Sequence, residues 1–136
     1  MTINVRHDHV GITVAPEHLD TTIAWYAEKL DFTVTQQFHA HGSTFTFMTN
    51  GDTRIEIISA GAETRNRVPT NLPASHDVER LHHFCVAVEN LDDVLAQLLK
   101  RDVTPIAGPM HIDRIGRRIA FVTDNVGTII ELTTQA

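Results

Sequence analysis

Residues 7–14, HDHVGITV, alternate polar and apolar positions with the period of two that a half-buried strand requires. From residue 16 the period lengthens. In PEHLDTTIAWYAEKL (16–30), Leu19, Ile23, Tyr26, Ala27 and Leu30 fall on one helical stripe, and Pro16 stands in the first turn, where its missing N–H is tolerated. DFTVTQQF and STFTFMT return to strand alternation. Asn50-Gly51 predicts a type I′ hairpin into the strand TRIEIIS, because that turn needs positive φ at both central residues. The first half, about residues 5–59, therefore predicts β-α-β-β-β.

Residues 60–80, AGAETRNRVPTNLPASHDVER, are polar, carry two prolines and predict a long connection, a length uncommon inside a compact domain and often functional. Over about 81–135 the pattern starts again. LHHFCVAV predicts a strand, and NLDDVLAQLLKRD a helix with Asn90 as N-cap and Leu91, Val94, Leu95, Leu98 and Leu99 on one stripe. VTPIAGP, RRIAFVTD and TIIELTT supply three more strands. Laying HVGITV over HFCVAV aligns His9 with His83 at an offset of 74, and RIEIIS over IIELTT aligns Glu56 with Glu131 at 75, so two separate matches give one duplication. The expected fold class is α+β: one domain over residues 1–136, built from two βαβββ modules in tandem.

Successive strand residues point to opposite faces. His9, Gly11 and Thr13 share one face and oppose Val10, Ile12 and Val14; in the repeat, His83, Cys85 and Ala87 oppose Phe84, Val86 and Val88. Glu56 stands between Ile55 and Ile57, and Glu131 between Ile130 and Leu132. The aliphatic faces predict packing against the two helices. The other faces, small and polar, leave a hollow of the kind a ligand cavity needs. Taken singly, each glutamate is better explained as solvent-facing and each histidine as a hydrogen-bonded core residue. Four equivalent positions in a duplicated frame instead predict a shared metal site at His9, Glu56, His83 and Glu131, because buried carboxylates are nearly always paired or metal-bound. Of the adjacent His82 and His83, the repeat selects His83. His82 shares parity with Phe84 and is expected to turn to the helix side or the strand's exposed end, so that His82→Ala leaves metal binding intact.

Length and charge narrow the function. A chain of 136 residues can bury a core unaided, and the single Cys85 excludes an internal disulfide and fits a reducing cytoplasm. MTINVRHDHV is no signal sequence and no apolar run is long enough for a bilayer, so neither secretion nor membrane binding is expected. A net charge of −6, with lysines and arginines scattered apart from Arg117 and Arg118, argues against nucleic acid. Nine histidines invite metal or proton chemistry, and position decides which of them take part. Phe45 and Phe47 suit a core stripe better than a pocket wall, Arg117 and Arg118 suit solvated surface better than an anion site, His7 is expected exposed, and Cys85 suits a small buried thiol.

HVGITV with WYAEKLDF, GDTRIEII, LHHFCVAVENLDDVLAQL and GRRIAFVTDNVGTIIEL cover almost the whole chain, and together they resemble the vicinal oxygen chelate superfamily. That group contains glyoxalase I, methylmalonyl-CoA epimerase, extradiol dioxygenases and the fosfomycin and bleomycin resistance proteins. The resemblance implies a cupped eight-stranded mixed sheet around one divalent cation, Ni, Co, Zn, Mn or Mg, with ligands on the first and last strands of each module. Those positions are again His9, Glu56, His83 and Glu131, the pattern of the glyoxalase I and epimerase branches.

The same resemblance implies a homodimer and a lyase or isomerase that stabilises an enolate or enediolate of a small substrate with vicinal oxygens. Glu131 and Glu56 are then the first candidates for the catalytic base. The family's glutathione-gripping arginine falls at about Thr13, which carries no charge, and the epimerase's additional catalytic glutamate falls at or next to Ala40. His39 and His41 flank that position, either as proton carriers or as histidines in solvent. A two-histidine, one-carboxylate dioxygenase leaves Glu56 surplus. A non-catalytic binding or resistance module of the same fold is the alternative, although that branch typically lacks the metal residues.

Overall fold

The computed structural model describes residues 1–63, 68–77 and 79–135; within the predicted connection, residues 64–67 and 78 lie outside the described residues, as does residue 136. The first half forms β1 (Val10–Val14), α1 (Leu19–Leu30), β2 (Thr33–Ala40), β3 (Ser43–Asn50) and β4 (Thr53–Ser59). The second forms β5 (His83–Ala87), α2 (Leu91–Lys100), β6 (Ala107–Ile112), β7 (Arg117–Thr123) and β8 (Ile129–Gln135). The strands divide into two four-stranded mixed sheets, ordered β1-β4-β3-β2 and β5-β8-β7-β6. In each sheet the first strand of the module pairs parallel with the last, and the remaining pairs are antiparallel. No ladder joins the two sheets among the described residues, so the cup is made of two half-cups.

Local chemistry moves some boundaries. The β3–β4 hairpin turns on Gly51-Asp52, because Asn50 pairs with Thr53 as the last rung. Gly51 alone has positive φ there, 55°, the first-position glycine of a type II′ turn rather than the type I′ pair expected at Asn50-Gly51. Asn50 instead donates its side-chain amide to the Leu30 carbonyl at the end of α1, at 2.8 Å. Two successive positive φ values occur at His41 (52°) and Gly42 (78°), in the β2–β3 turn. Strand β6 begins at Ala107, beyond Pro105, which has no N–H to give a ladder.

The helical stripes hold with two exceptions. Thr22 and Tyr26 are buried on α1, flanked by Leu19, Ile23, Trp25 and Leu30, while Ala27 is exposed. On α2 the Asn90 Oδ1 accepts from the Asp93 N–H at 3.1 Å, as an N-cap should, and Leu91 and Leu98 are buried. Leu99 lies about 90° round the helix from the centre of that stripe and is 63% exposed.

One hydrophobic core runs through both halves, joining Ile12, Tyr26, Met48, Ile55 and Ile57 to Leu91, Leu98, Val122, Ile130 and Leu132. Polar bonds tie the same junction. Tyr26 donates its hydroxyl to Asp124 Oδ2 at 2.7 Å, and Asn125 Nδ2 donates to Thr22 Oγ1 at 3.0 Å. Arg101 donates to the Glu28 and Lys29 carbonyls at 3.3 and 3.0 Å, capping α1. Among the described residues no helix is long and apolar enough to cross a membrane.

Candidate functional site

The parallel registers set Gly11 beside Glu56 and Cys85 beside Glu131. His9, just before β1, points Nε2 at Glu56 Oε1 from 3.6 Å, and His83, the first residue of β5, points Nε2 at Glu131 Oε1 from 4.0 Å. These gaps are too long for hydrogen bonds. They lie within the roughly 4.2 Å that a metal–nitrogen and a metal–oxygen bond span end to end, so each pair fits a divalent cation as neutral imidazole plus carboxylate.

The other ring nitrogens are held. Asp8 Oδ2 lies 2.6 Å from His9 Nδ1. A carboxylate only accepts, so His9 carries a hydrogen on Nδ1, and the neutral ring turns its Nε2 lone pair to Glu56. The same hydrogen bond holds Asp8 below the usual carboxylate range. In the second half, His83 Nδ1 lies 2.8 Å from His82 Nδ1, and His82 Nε2 lies 2.7 Å from Ser75 Oγ. Of the two places expected for His82, the structure gives the strand's end: β5 begins at His83, so strand alternation does not reach His82, and its ring folds against its neighbour's. Burial, with the rings of His76 and His83, holds His82 below the ordinary imidazole value.

A phenyl edge stands against each imidazole. Phe47 meets His9 at 5.5 Å and 82°, and Phe121 meets His83 at 5.6 Å and 90°. Each phenyl also opposes the glutamate of its half, Phe47 across from Glu56 and Phe121 across from Glu131. The core stripe expected at Phe45 and Phe47 is therefore on the wrong face. The buried face of β3 carries Thr46 and Met48, both fully enclosed, with Thr46 Oγ1 accepting from Gln37 Nε2 at 2.8 Å. Phe45 stacks on Phe38 at 5.0 Å, and the Arg54 guanidinium lies 4.2 Å over Phe47 while contacting Asp8 at 3.3 Å.

On the second sheet the equivalent floor is closed. Ile119, Phe121 and Ile129 are buried there beneath Leu72, which comes from the connection just ahead of a 3₁₀ helix at Pro73–Asp77. Between the halves runs a cleft of about 580 Å³ whose lining includes His7, His9, Gly11, Arg54, His83 and Cys85. His9 and His83 thus share one cleft. Each His–Glu pair is brought together, but among the described residues no three His, Cys, Asp or Glu side chains converge closely enough, as the structure stands, to hold a metal ion.

Other expected residues fall elsewhere. His39 is the ladder partner of Thr44 and bonds its Oγ1 at 2.9 Å, which puts it on the face opposite Phe45, Phe47 and Glu56. His41 sits exposed in the β2–β3 turn, so neither histidine is brought to Glu56 or Glu131. Arg118 is engaged by Asp92 through two bonds of 2.8 and 3.0 Å. Cys85 is exposed on the site face rather than buried in the core, yet desolvation and the neighbouring Glu131 carboxylate push its thiol up to about 12. It stands beside Glu131 as a neutral thiol.

Human mitochondrial methylmalonyl-CoA epimerase is 24% identical over 131 residues, covering 93% of this chain and 72% of that protein. A glyoxylase/bleomycin resistance protein/dioxygenase domain from Frankia sp. EAN1pec superimposes with a TM-score of 0.77 at 19% identity, over 98% of this chain and 94% of that one. TnmS3, an antibiotic binding protein from Streptomyces sp. CB03234, does so with a TM-score of 0.72 at 16% identity, over 99% and 100%. Both structural likenesses are of fold alone. The family model matches residues 6–132, and the chain belongs to the Glyoxalase/Bleomycin resistance protein/Dioxygenase superfamily.

Proposed function

We propose that this protein is a divalent-metal-dependent lyase or isomerase that moves a proton on a small substrate carrying two vicinal oxygens. The observation that supports this is the orientation of His9, whose anchored ring turns an Nε2 lone pair towards the Glu56 carboxylate, matched by His83 and Glu131 in the second half. A lone pair facing an anion is repulsive unless a cation or proton lies between them. The histidines of the two pairs line one cleft, and together the pairs supply two imidazoles and two carboxylates, a neutral donor set for a dication. When bound, the cation polarises the substrate's oxygens and acidifies the adjoining C–H.

The chain's own residues do the rest. Glu56 or Glu131 takes the proton and returns it, since a carboxylate within reach of the carbon is a competent general base at neutral pH. Phe47 and Phe121 hem the imidazoles and exclude water from that side. Cys85, kept neutral, adds no competing charge beside Glu131. The test is elemental analysis of reconstituted protein, followed by solvent-deuterium exchange into 2-oxo aldehyde thiol adducts and acyl-CoA thioesters. Protein that takes up no near-stoichiometric divalent metal would sink the proposal.

A second function is favoured by a different feature. Phe38, Phe45 and Phe47 form a stacked floor with Phe38 39% exposed, a surface suited to sequestering a flat ligand without chemistry. TnmS3, similar in fold, is described as an antibiotic binding protein. Tight binding of a planar aromatic ligand that needs no metal and survives Glu131→Gln would select that function over the enzyme.

A further inference from the structure

The two halves hold their histidines by different means. By the 74-residue offset that relates His9 to His83, Asp8 corresponds to His82. The first half therefore anchors its imidazole with a carboxylate, and the second with another imidazole that leans on the connection through Ser75.

The direction of that second chain follows from its far end. Ser75 Oγ is hydrogen-bonded to the Leu72 carbonyl oxygen, which can only accept, so the hydroxyl hydrogen is committed there. Towards His82, Ser75 can then only accept, and His82 must carry its hydrogen on Nε2. A neutral imidazole has one donor and one acceptor nitrogen, so His82 Nδ1 is the acceptor, and His83 Nδ1 must donate to it. His83 is left with its Nε2 lone pair facing Glu131, the tautomer that Asp8 imposes on His9. His76, whose ring centroid lies 4.7 Å from that of His82, packs the ring in place.

We infer that His82 and Ser75 are positioning residues for His83, and that the segment carrying Leu72 and Ser75 is in this way a built part of the candidate metal centre rather than a tether between modules. The metal-binding consequence rests on the function proposed above; the tautomer does not.

Two measurements on the full chain test this. In metal-free protein at neutral pH, the imidazole ¹⁵N shifts of His83 are expected to show hydrogen on Nδ1; hydrogen on Nε2 would overturn the inference. Metal affinity is then read by competition with a chromophoric chelator, using Co(II) or Ni(II). His82→Ala is expected to weaken binding by roughly tenfold or more, as loss of an orienting partner does elsewhere, and Ser75→Ala by less. His82→Asp, which recreates the arrangement of the first half, is expected to restore affinity. A purely structural ring would not be replaced by a small carboxylate. His82→Ala binding metal as tightly as the wild type, or His82→Asp binding no better than His82→Ala, would overturn the role. A wild type that takes up no metal would fail the proposed function instead, and the ¹⁵N measurement would still decide the tautomer.

Discussion

Tyr26→Phe removes one oxygen from the junction between the halves. Tyr26 is fully buried and Asp124 2% exposed, and their 2.7 Å bond is the contact of Asp124 Oδ2, while Oδ1 accepts the Val126 and Thr128 N–H groups at 2.9 and 2.8 Å. Phenylalanine leaves Oδ2 enclosed without a donor. Losing a hydrogen bond to a charged acceptor costs about 1.5–3 kcal/mol. Unfolding entropy of about 2.1 cal/mol/K per residue, over 136 residues, gives roughly 0.29 kcal/mol/K, so Tm should fall by about 5–10 °C at pH 7.

The loss must also depend on pH in one direction. Burial already raises Asp124 above its ordinary 3.8, so its contribution to stability is fullest below that value and is lost as pH rises through the folded-state pKa. Tyr26→Phe raises that pKa further by removing a donor to the charged form. The gap in Tm between wild type and variant should therefore be widest at neutral pH and close as pH falls towards 4. Calorimetric melts at pH 7 and near pH 4 measure both quantities. A drop smaller than about 2 °C at pH 7, or a gap that widens in acid, would refute the assignment of Asp124 as an ionised acceptor.

Asp8→Ala should weaken divalent-metal binding by about tenfold or more while moving stability by less than about 0.5 kcal/mol, read by chelator competition and urea unfolding, since the Asp8 side chain is 71% exposed. Glu56→Gln and Glu131→Gln should each abolish stoichiometric metal uptake and turnover, and mixing the two variants should not restore activity, because His9 and His83 line one cleft of one chain. Gly108→Ala should cost about 2–3 kcal/mol in urea unfolding: φ there is 83°, and a Cβ would stand 2.7 Å from the Ile119 carbonyl oxygen. Arg101→Met should lower Tm by about 3–6 °C through loss of the bonds to the Glu28 and Lys29 carbonyls.

Period and register carried the fold a long way. Both β-α-β-β-β halves, the offset between them and the face shared by each histidine and the glutamate of its half follow from alternation and duplication, because a strand's face is fixed by parity. Parity did not reach His82, where the strand had not begun, and at Phe47 size was taken for burial. The buried face of β3 holds Thr46, whose hydroxyl is satisfied by Gln37, so the phenyls are free to line the site. The offset of 74 that relates the histidines also relates Phe47 to Phe121 and Asp8 to His82, and applied to those positions it marks them as parts of the same unit. The turn at Gly51-Asp52 was one residue from its expected place because Asn50 caps α1 instead of turning the chain.

Duplication accounts for the donors but not for their surroundings, and the surroundings differ. Each half contributes one imidazole, one carboxylate and one phenyl edge in the same register. The residue before the histidine is an anion in the first half and an imidazole in the second. A carboxylate anchors the His9 imidazole, while His83 depends on a neutral chain that ends at a backbone carbonyl. The floors diverge in the same sense. Leu72 closes the apolar face of the second sheet, whereas Phe38 and Phe45 leave that of the first open. The segment that closes one floor also carries Ser75, so orienting His83 and covering the second half are tasks of the same few residues, and a change in the connection alters both together.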